Sequence, residues 1–187
     1  MFSALESLLS EKRLERYLTA MNGNQHGAVQ LYRWGMAMSG AVHEALFTTE
    51  VVLRNAMDAQ LRAWNATQKD ATGRRHSSNW LVDPSKLLVR LVRRDSLTEA
   101  HRRARQAVAA YHRPVSHDDV LTQVSFGTWR FLLPDRDPGR QLLWREALQA
   151  AFPHLAMPPA QFVACVDGIY KLRNRCALVR HEVAQFQ

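Results

Sequence analysis

The chain has 187 residues, with 25 Lys and Arg against 17 Asp and Glu, and a formal net charge of +8. It is long enough to bury a real core as one domain over 1–187, and a hydrophobic share of 47% with a mean hydropathy of −0.31 argues against a membrane protein. No apolar run approaches the roughly 20 residues of a bilayer span, and Met1-Phe2-Ser3-Ala4-Leu5-Glu6 lacks the basic start of a secretory signal, so a cytoplasmic protein is expected.

Ser10 is placed to cap a first helix, in which Leu14, Tyr17, Leu18 and Met21 recur at helical spacing before Gly23 stops it. A longer helix is predicted from about Gln25 to Trp64, with Leu46, Leu53, Met57, Leu61 and Trp64 as its buried stripe. Gly35, Ser39 and Gly40 mark points for a bend or a close neighbour. Residues Asn65 to Ser78 are polar and basic and read as a mobile loop. Pro84 opens the next helix, which carries Leu87, Leu88, Leu91 and Val92, runs on through an arginine cluster and ends at Pro114. Ser116 with Asp119 is a capping-box-like start for a helix through Phe131. Asp137-Pro138 starts another, bearing Leu142, Leu143, Leu148 and Phe152. Pro158-Pro159 opens the last, whose Phe162, Val166, Ile169 and Leu172 form one core stripe. No segment alternates as a strand does, so the expected fold class is all-α.

Charge is concentrated between Lys69 and Arg113, where eleven Lys and Arg face four acids. Such a block is the electrostatic footprint of a polyanion-binding surface, with a solvated helix face as the plainer reading. An anionic membrane is the poorer fit, because the block lacks a clean apolar face with flanking aromatics. Of the tryptophans, Trp34, Trp64, Trp129 and Trp144 are expected in the core, and Trp80 is the best exposed candidate for stacking a base. Ser125-Phe126-Gly127-Thr128-Trp129 follows no strand, so it is read as core packing and not as an esterase elbow. His101, His112 and His117 are read as surface residues without a role. Cys165 and Cys176 lie too far apart in one helix for easy bridging, and no Cys/His spacing suggests a metal site.

The last helix carries the densest polar cluster. Leu172-Arg173-Asn174-Arg175, followed closely by His181-Glu182, resembles the closing motif of the Abi-like abortive-infection proteins, a bacterial branch of the HEPN superfamily. Further segments match that family in order: Leu14-Glu15-Arg16-Tyr17, Leu31-Tyr32-Arg33-Trp34, Glu50-Val51-Val52-Leu53-Arg54-Asn55-Ala56, Asn79-Trp80-Leu81, Val124 to Trp129, Leu143-Trp144 and Phe152-Pro153. The resemblance implies a HEPN-like helical bundle with additional helices, a homodimer, and metal-independent endoribonuclease activity with no cofactor at a site shared between protomers. It also implies an antiphage or toxin role, with a cognate noncoding RNA or an antitoxin as a further partner.

The residue types suit that chemistry. A histidine withdraws the proton of a ribose 2′-OH or protonates the leaving 5′-oxygen, and an arginine stabilises charge building on the phosphate. Carried onto this chain, His181 becomes the general acid/base, Arg173 and Arg175 hold the scissile phosphate, and Asn174 orients the site. Glu50, Arg54, Asn55 and Glu182 become supporting residues, and Arg90, Arg93, Arg94, Arg102, Arg103 and Arg105 gather RNA electrostatically. Glu50 and Arg54 also stand at i and i+4, a favourable pair within one helix, while Arg173 and Asn174 are expected to bond into this Glu50–Asn55 region.

The motif departs from the family pattern in its spacing. The expected histidine positions hold Leu178 and Val179, and His181 follows Arg180. On a straight helix, at ~100° per residue, Arg175 and His181 stand about 120° apart, and Arg173 and His181 about 80° apart. Convergence therefore needs a distorted helix or a second protomer. Two further readings follow: a non-catalytic RNA-binding protein, and a protein-interaction module of a defence system.

Overall fold

The structure, a computed structural model, describes the backbone of residues 11–184 and the side chains of residues 12–175. Those residues form eight α-helices and no strand. In chain order they are α1 (Glu11–Ala20), α2 (Gln25–Asn65), α3 (Lys86–Leu91), α4 (Arg94–Val108), α5 (His117–Gln123), α6 (Phe126–Leu132), α7 (Pro138–Glu146) and α8 (Pro159–Ala184). Short 3-10 turns follow α4 at Ala109–Tyr111 and α7 at Leu148–Ala151. No described helix is long and apolar enough to cross a membrane. The chain forms two compact units, residues 1–47 and 48–187, and the division falls inside α2.

In the first unit, α1 ends where Asn22 and Gly23 take positive φ values of 50° and 83°. Gly23 N donates to Leu18 O at 2.8 Å, closing the helix with a left-handed cap. Asn24 then accepts from Gly27 N at 3.0 Å and starts α2. Tyr17 and Tyr32 meet edge to face at 5.5 Å between ring centroids, while Leu14, Ala28 and Val29 are buried. Trp34, expected in the core, is 60% exposed. Gly35 and Gly40 both lie within uninterrupted helix.

The second unit holds the main core. Leu53, Met57, Leu61 and Trp64 are all buried, as the helical spacing of α2 predicts. They pack with Leu88, Val92, Phe126, Trp129, Leu132, Leu143, Leu148 and Val166. Trp80 and Trp129, both fully buried, meet edge to face at 5.9 Å and 86°, a geometry worth about 0.5–1.5 kcal/mol beyond the area it hides. The expectation of an exposed Trp80 is thereby corrected. Its indole N–H donates to Asp58 Oδ1 at 2.8 Å, so the polar end of the ring is satisfied inside the core.

The region predicted as a mobile loop is tied down by side chains. Asn65 is fully buried, donates through Nδ2 to Ser77 O at 2.6 Å and to Asp83 O at 2.9 Å, and accepts from Ser85 N at 2.9 Å. Asp83 takes hydrogen bonds from Arg74, from His76 and from Ser77 N.

Two predicted helices are each two helices. The one opened by Pro84 starts at Lys86, with Ser85 as its cap residue, and breaks at Val92 (φ −93°, ψ 116°) and Arg93 (φ −56°, ψ 125°). It then resumes as α4 and stops at left-handed His112, ahead of Pro114. The break keeps Val92 buried alongside Leu88, and because these residues are four apart the apolar spacing runs on across the break. The helix begun at Ser116 has the expected capping box with Asp119 but ends at Gln123. Ser125 caps α6, accepting from Thr128 N at 3.3 Å. Asp137 caps α7, with Pro138 in the first turn, by accepting from Gly139 N at 2.7 Å and Arg140 N at 3.1 Å. Leu148 and Phe152 fall beyond the end of α7. In α8 the stripe is also incomplete: Val166 is buried, Phe162 and Ile169 are half-buried, and Leu172 is 44% exposed.

Candidate functional site

Helix α8 carries the Arg-Asn-Arg segment, and contacts to α6 fix it. Arg130 pairs with Asp167, and this hydrogen bond holds the Asp167 carboxyl below its ordinary range. Tyr170, one turn further on, packs on Phe126 with ring centroids 6.2 Å apart. It also lies against Gly127, where an added Cβ would meet the ring at an ordinary 3.5 Å. That spacing leaves room for alanine, so close packing does not require glycine there.

One turn beyond Tyr170, Arg173 Nε donates to Glu50 Oε2 at 3.2 Å across 123 residues of sequence. Both side chains are partly solvated, at 41% and 21% exposure, which keeps such a pair to about 1 kcal/mol or less. Its value lies in position: it links the arginine segment of α8 to α2. Glu50 reaches across to Arg173, while Arg54 Nε donates to neighbouring Asn55 at 3.3 Å. The pair predicted within α2, Glu50 with Arg54, is thus replaced by these two contacts. Asn174 is half-buried, and Arg175 is exposed with no ion pair among the described residues. The side chains of His181 and Glu182 lie outside the described residues.

The basic block is partly neutralised. Arg90 grips Asp137 with two bonds of 2.9 and 2.7 Å, which holds that carboxyl well below its usual range. Arg102 and Arg103 share Glu99, each at 2.7 Å, and bring its carboxyl down to about 2. Arg74 bonds Asp70 and Asp83, and Arg113 bonds Asp119. Of the six arginines predicted to gather RNA, Arg93, Arg94 and Arg105 are exposed without an ion pair among the described residues. Arg90, Arg102 and Arg103 are already engaged with carboxylates and are weaker candidates for phosphate.

One constellation went unread in the sequence. His117 Nε2 donates to Asp58 Oδ1 at 3.0 Å, and its Nδ1 stands 2.8 Å from Asn79 Oδ1. With the bond from Trp80, Asp58 gathers α2, α5 and the segment at 79–80 around one carboxylate. The His117 and Asp58 side chains are only 11% and 7% exposed. A His–Asp pair suggests hydrolytic chemistry, but no serine or cysteine joins this one among the described contacts, and its burial makes it a structural clasp. The readable signal was Asp58 itself. It directly follows Met57 on the buried stripe, and a buried carboxylate needs a partner.

Among the described residues, no group of three or more His, Cys, Asp or Glu gathers as a metal site. Cys165 is exposed and unbridged. Comparison of the chain with protein-family models, with curated proteins and with solved structures finds no match in any of the three.

Proposed function

We propose that this chain is a HEPN-like protein of the abortive-infection type that cleaves RNA without a metal, at a composite site formed by two protomers. The observation that carries the reading is the Arg173–Glu50 ion pair. It brings together the two polar segments of the chain, Glu50 to Asn55 and Arg173 to Arg175, on which the resemblance most depends.

In this reading Glu50 is a positioning residue. It occupies Arg173 Nε and leaves the other guanidinium donors for a phosphate oxygen. Arg175, exposed and unpaired among the described residues, takes the charge that builds on the phosphate. His181 of the facing protomer removes the 2′-OH proton, the 2′-oxygen attacks phosphorus, and the 5′-oxygen leaves with a proton returned to it. The products are a 2′,3′-cyclic phosphate and a 5′-hydroxyl, so DNA is not a substrate. The free cations Arg93, Arg94 and Arg105 draw RNA to the surface.

A shared site predicts complementation. Arg175→Ala and His181→Ala chains are each inactive alone, and mixing them restores part of the cleavage of a fluorogenic RNA in EDTA. No recovery from a mixture that forms dimers contradicts the composite site. A second reading, RNA binding without cleavage, is favoured by the stretched motif, in which Leu178 and Val179 hold the expected histidine positions. It predicts salt-sensitive RNA binding with intact RNA in every mixture.

A further inference from the structure

An open pocket of about 240 Å³ lies in the second unit, where the break between α3 and α4 faces the start of α6, with α7 and α8 completing the wall. By volume it has room for about eight waters at ~30 Å³ each, which suits a phosphate group with part of a sugar and is small for a drug-sized molecule. Arg93 and Arg140 line it, together with the hydroxyl groups of Ser96, Thr128 and Tyr170 and the ring of Phe131. No Asp or Glu is among its lining residues.

The two arginines differ in their partners. Arg93 is exposed and makes no ion pair among the described residues. Arg140 gives one terminal nitrogen to Asp135 at 2.5 Å, yet its Nε is buried and finds no acceptor among the described residues. A buried donor without an acceptor is uncommon in folded proteins. Its guanidinium is held in place by that ion pair and by the Phe131 ring, 5.6 Å from the ring centroid. The wall thus supplies the unpaired guanidinium of Arg93, the guanidinium of Arg140, which is held in place and partly neutralised by Asp135, and three hydroxyl groups, with no carboxylate among the lining residues.

We infer that this pocket binds a phosphate monoester, with the phosphate between Arg93 and Arg140. A monoester carries about −1.5 to −2 charge at neutral pH and three acceptor oxygens, enough for two guanidinium groups and neighbouring hydroxyls. A carboxylate offers one charge and two oxygens and fills the site less well. The pocket shares Arg93 with the cations proposed to gather RNA but does not include Arg173, Asn174 or Arg175, so binding of a small phosphate tests it separately from RNA cleavage.

The test is isothermal titration of the full chain with inorganic phosphate, AMP, adenosine and acetate. Phosphate and AMP are expected to compete for one site, with adenosine and acetate silent. Arg93→Gln and Ser96→Glu each lower AMP affinity roughly tenfold or more, the loss expected for one charge-assisted bond. Arg105→Gln, an equal charge change on α4 outside the pocket, leaves AMP affinity unchanged. Circular dichroism establishes that each variant is folded. A 5′-phosphorylated oligoribonucleotide that binds more tightly than AMP, while its 5′-hydroxyl form does not, identifies the source as an RNA end. Equal or better binding of AMP identifies a small phosphomonoester. Silence of AMP and phosphate at millimolar concentration, adenosine binding as well as AMP, or equal losses in Arg93→Gln and Arg105→Gln overturns the inference.

Discussion

Replacing Asp58 with alanine should be among the most damaging single changes outside the arginine segment. Asp58 accepts from the Trp80 indole at 2.8 Å and from His117 at 3.0 Å. Without it, two donors stay inside the protein, one on a fully buried tryptophan. Each stranded donor costs about 1–3 kcal/mol, so the two together cost about 2–6 kcal/mol. We therefore expect a loss of about 2–6 kcal/mol, a large part of the roughly 5–15 kcal/mol that holds a domain together. For a chain of this size each kcal/mol moves the melting temperature by about 2–4 °C, so Asp58→Ala should melt about 4–24 °C lower. Asp58→Asn keeps an oxygen for Trp80 and loses only the charge at His117, so its cost is smaller. Urea titrations of Asp58→Asn, His117→Ala and the double variant, followed by circular dichroism, should give a coupling above about 0.5 kcal/mol. Asp58→Ala within about 0.5 kcal/mol of the wild type, the range of ordinary surface changes, would refute the clasp.

Three further outcomes are expected. Glu50→Gln should change stability by no more than about 1 kcal/mol, because the pair is partly solvated. It should slow RNA cleavage about tenfold or more at unchanged RNA affinity, because Arg173 loses its orientation; equal losses in rate and affinity in single-turnover assays would contradict that role. Arg93→Gln, Arg94→Gln and Arg105→Gln should each flatten the salt dependence of RNA binding by about 0.7 in the log–log slope, whereas Arg102→Gln and Arg103→Gln, whose partner is Glu99, should do less. Acid should unfold the chain late. Asp83, Asp119, Asp137 and Glu99 are all held below their ordinary values, chiefly by hydrogen bonds from arginines. Their stabilisation is complete above the unfolded pKa of about 4 and is lost as pH falls toward the Glu99 value of about 2. Melting temperatures across a pH series should therefore fall mainly below about pH 4, and less so in high salt; a loss centred near pH 6 would point to histidine instead.

The all-helical character was readable because apolar spacing and caps agree along most of the chain. The stripe of α2, the Gly23 stop, the capping box at Ser116 and the Asp137-Pro138 start all rest on local chemistry, and all appear in the fold. The breaks at Val92–Arg93 and Val124–Ser125 were hidden, because an extended pair of residues leaves the apolar periodicity almost intact. Trp80 was misjudged because polar neighbours in sequence say nothing of a buried carboxylate 22 residues away. The Arg173–Glu50 contact was anticipated from the two polar segments. The neutralisation of Arg90 by Asp137 was not, because the acid lies 47 residues on, outside the window in which the charge surplus was counted.

The central claim is RNA cleavage by a His–Arg site that uses no metal. Its most direct test is to incubate the purified chain with total RNA in EDTA, beside His181→Ala, and to sequence the new ends. Cuts made by the wild type alone are expected, each leaving a 2′,3′-cyclic phosphate and a 5′-hydroxyl. Intact RNA in both reactions, or cleavage that persists in His181→Ala, would contradict it.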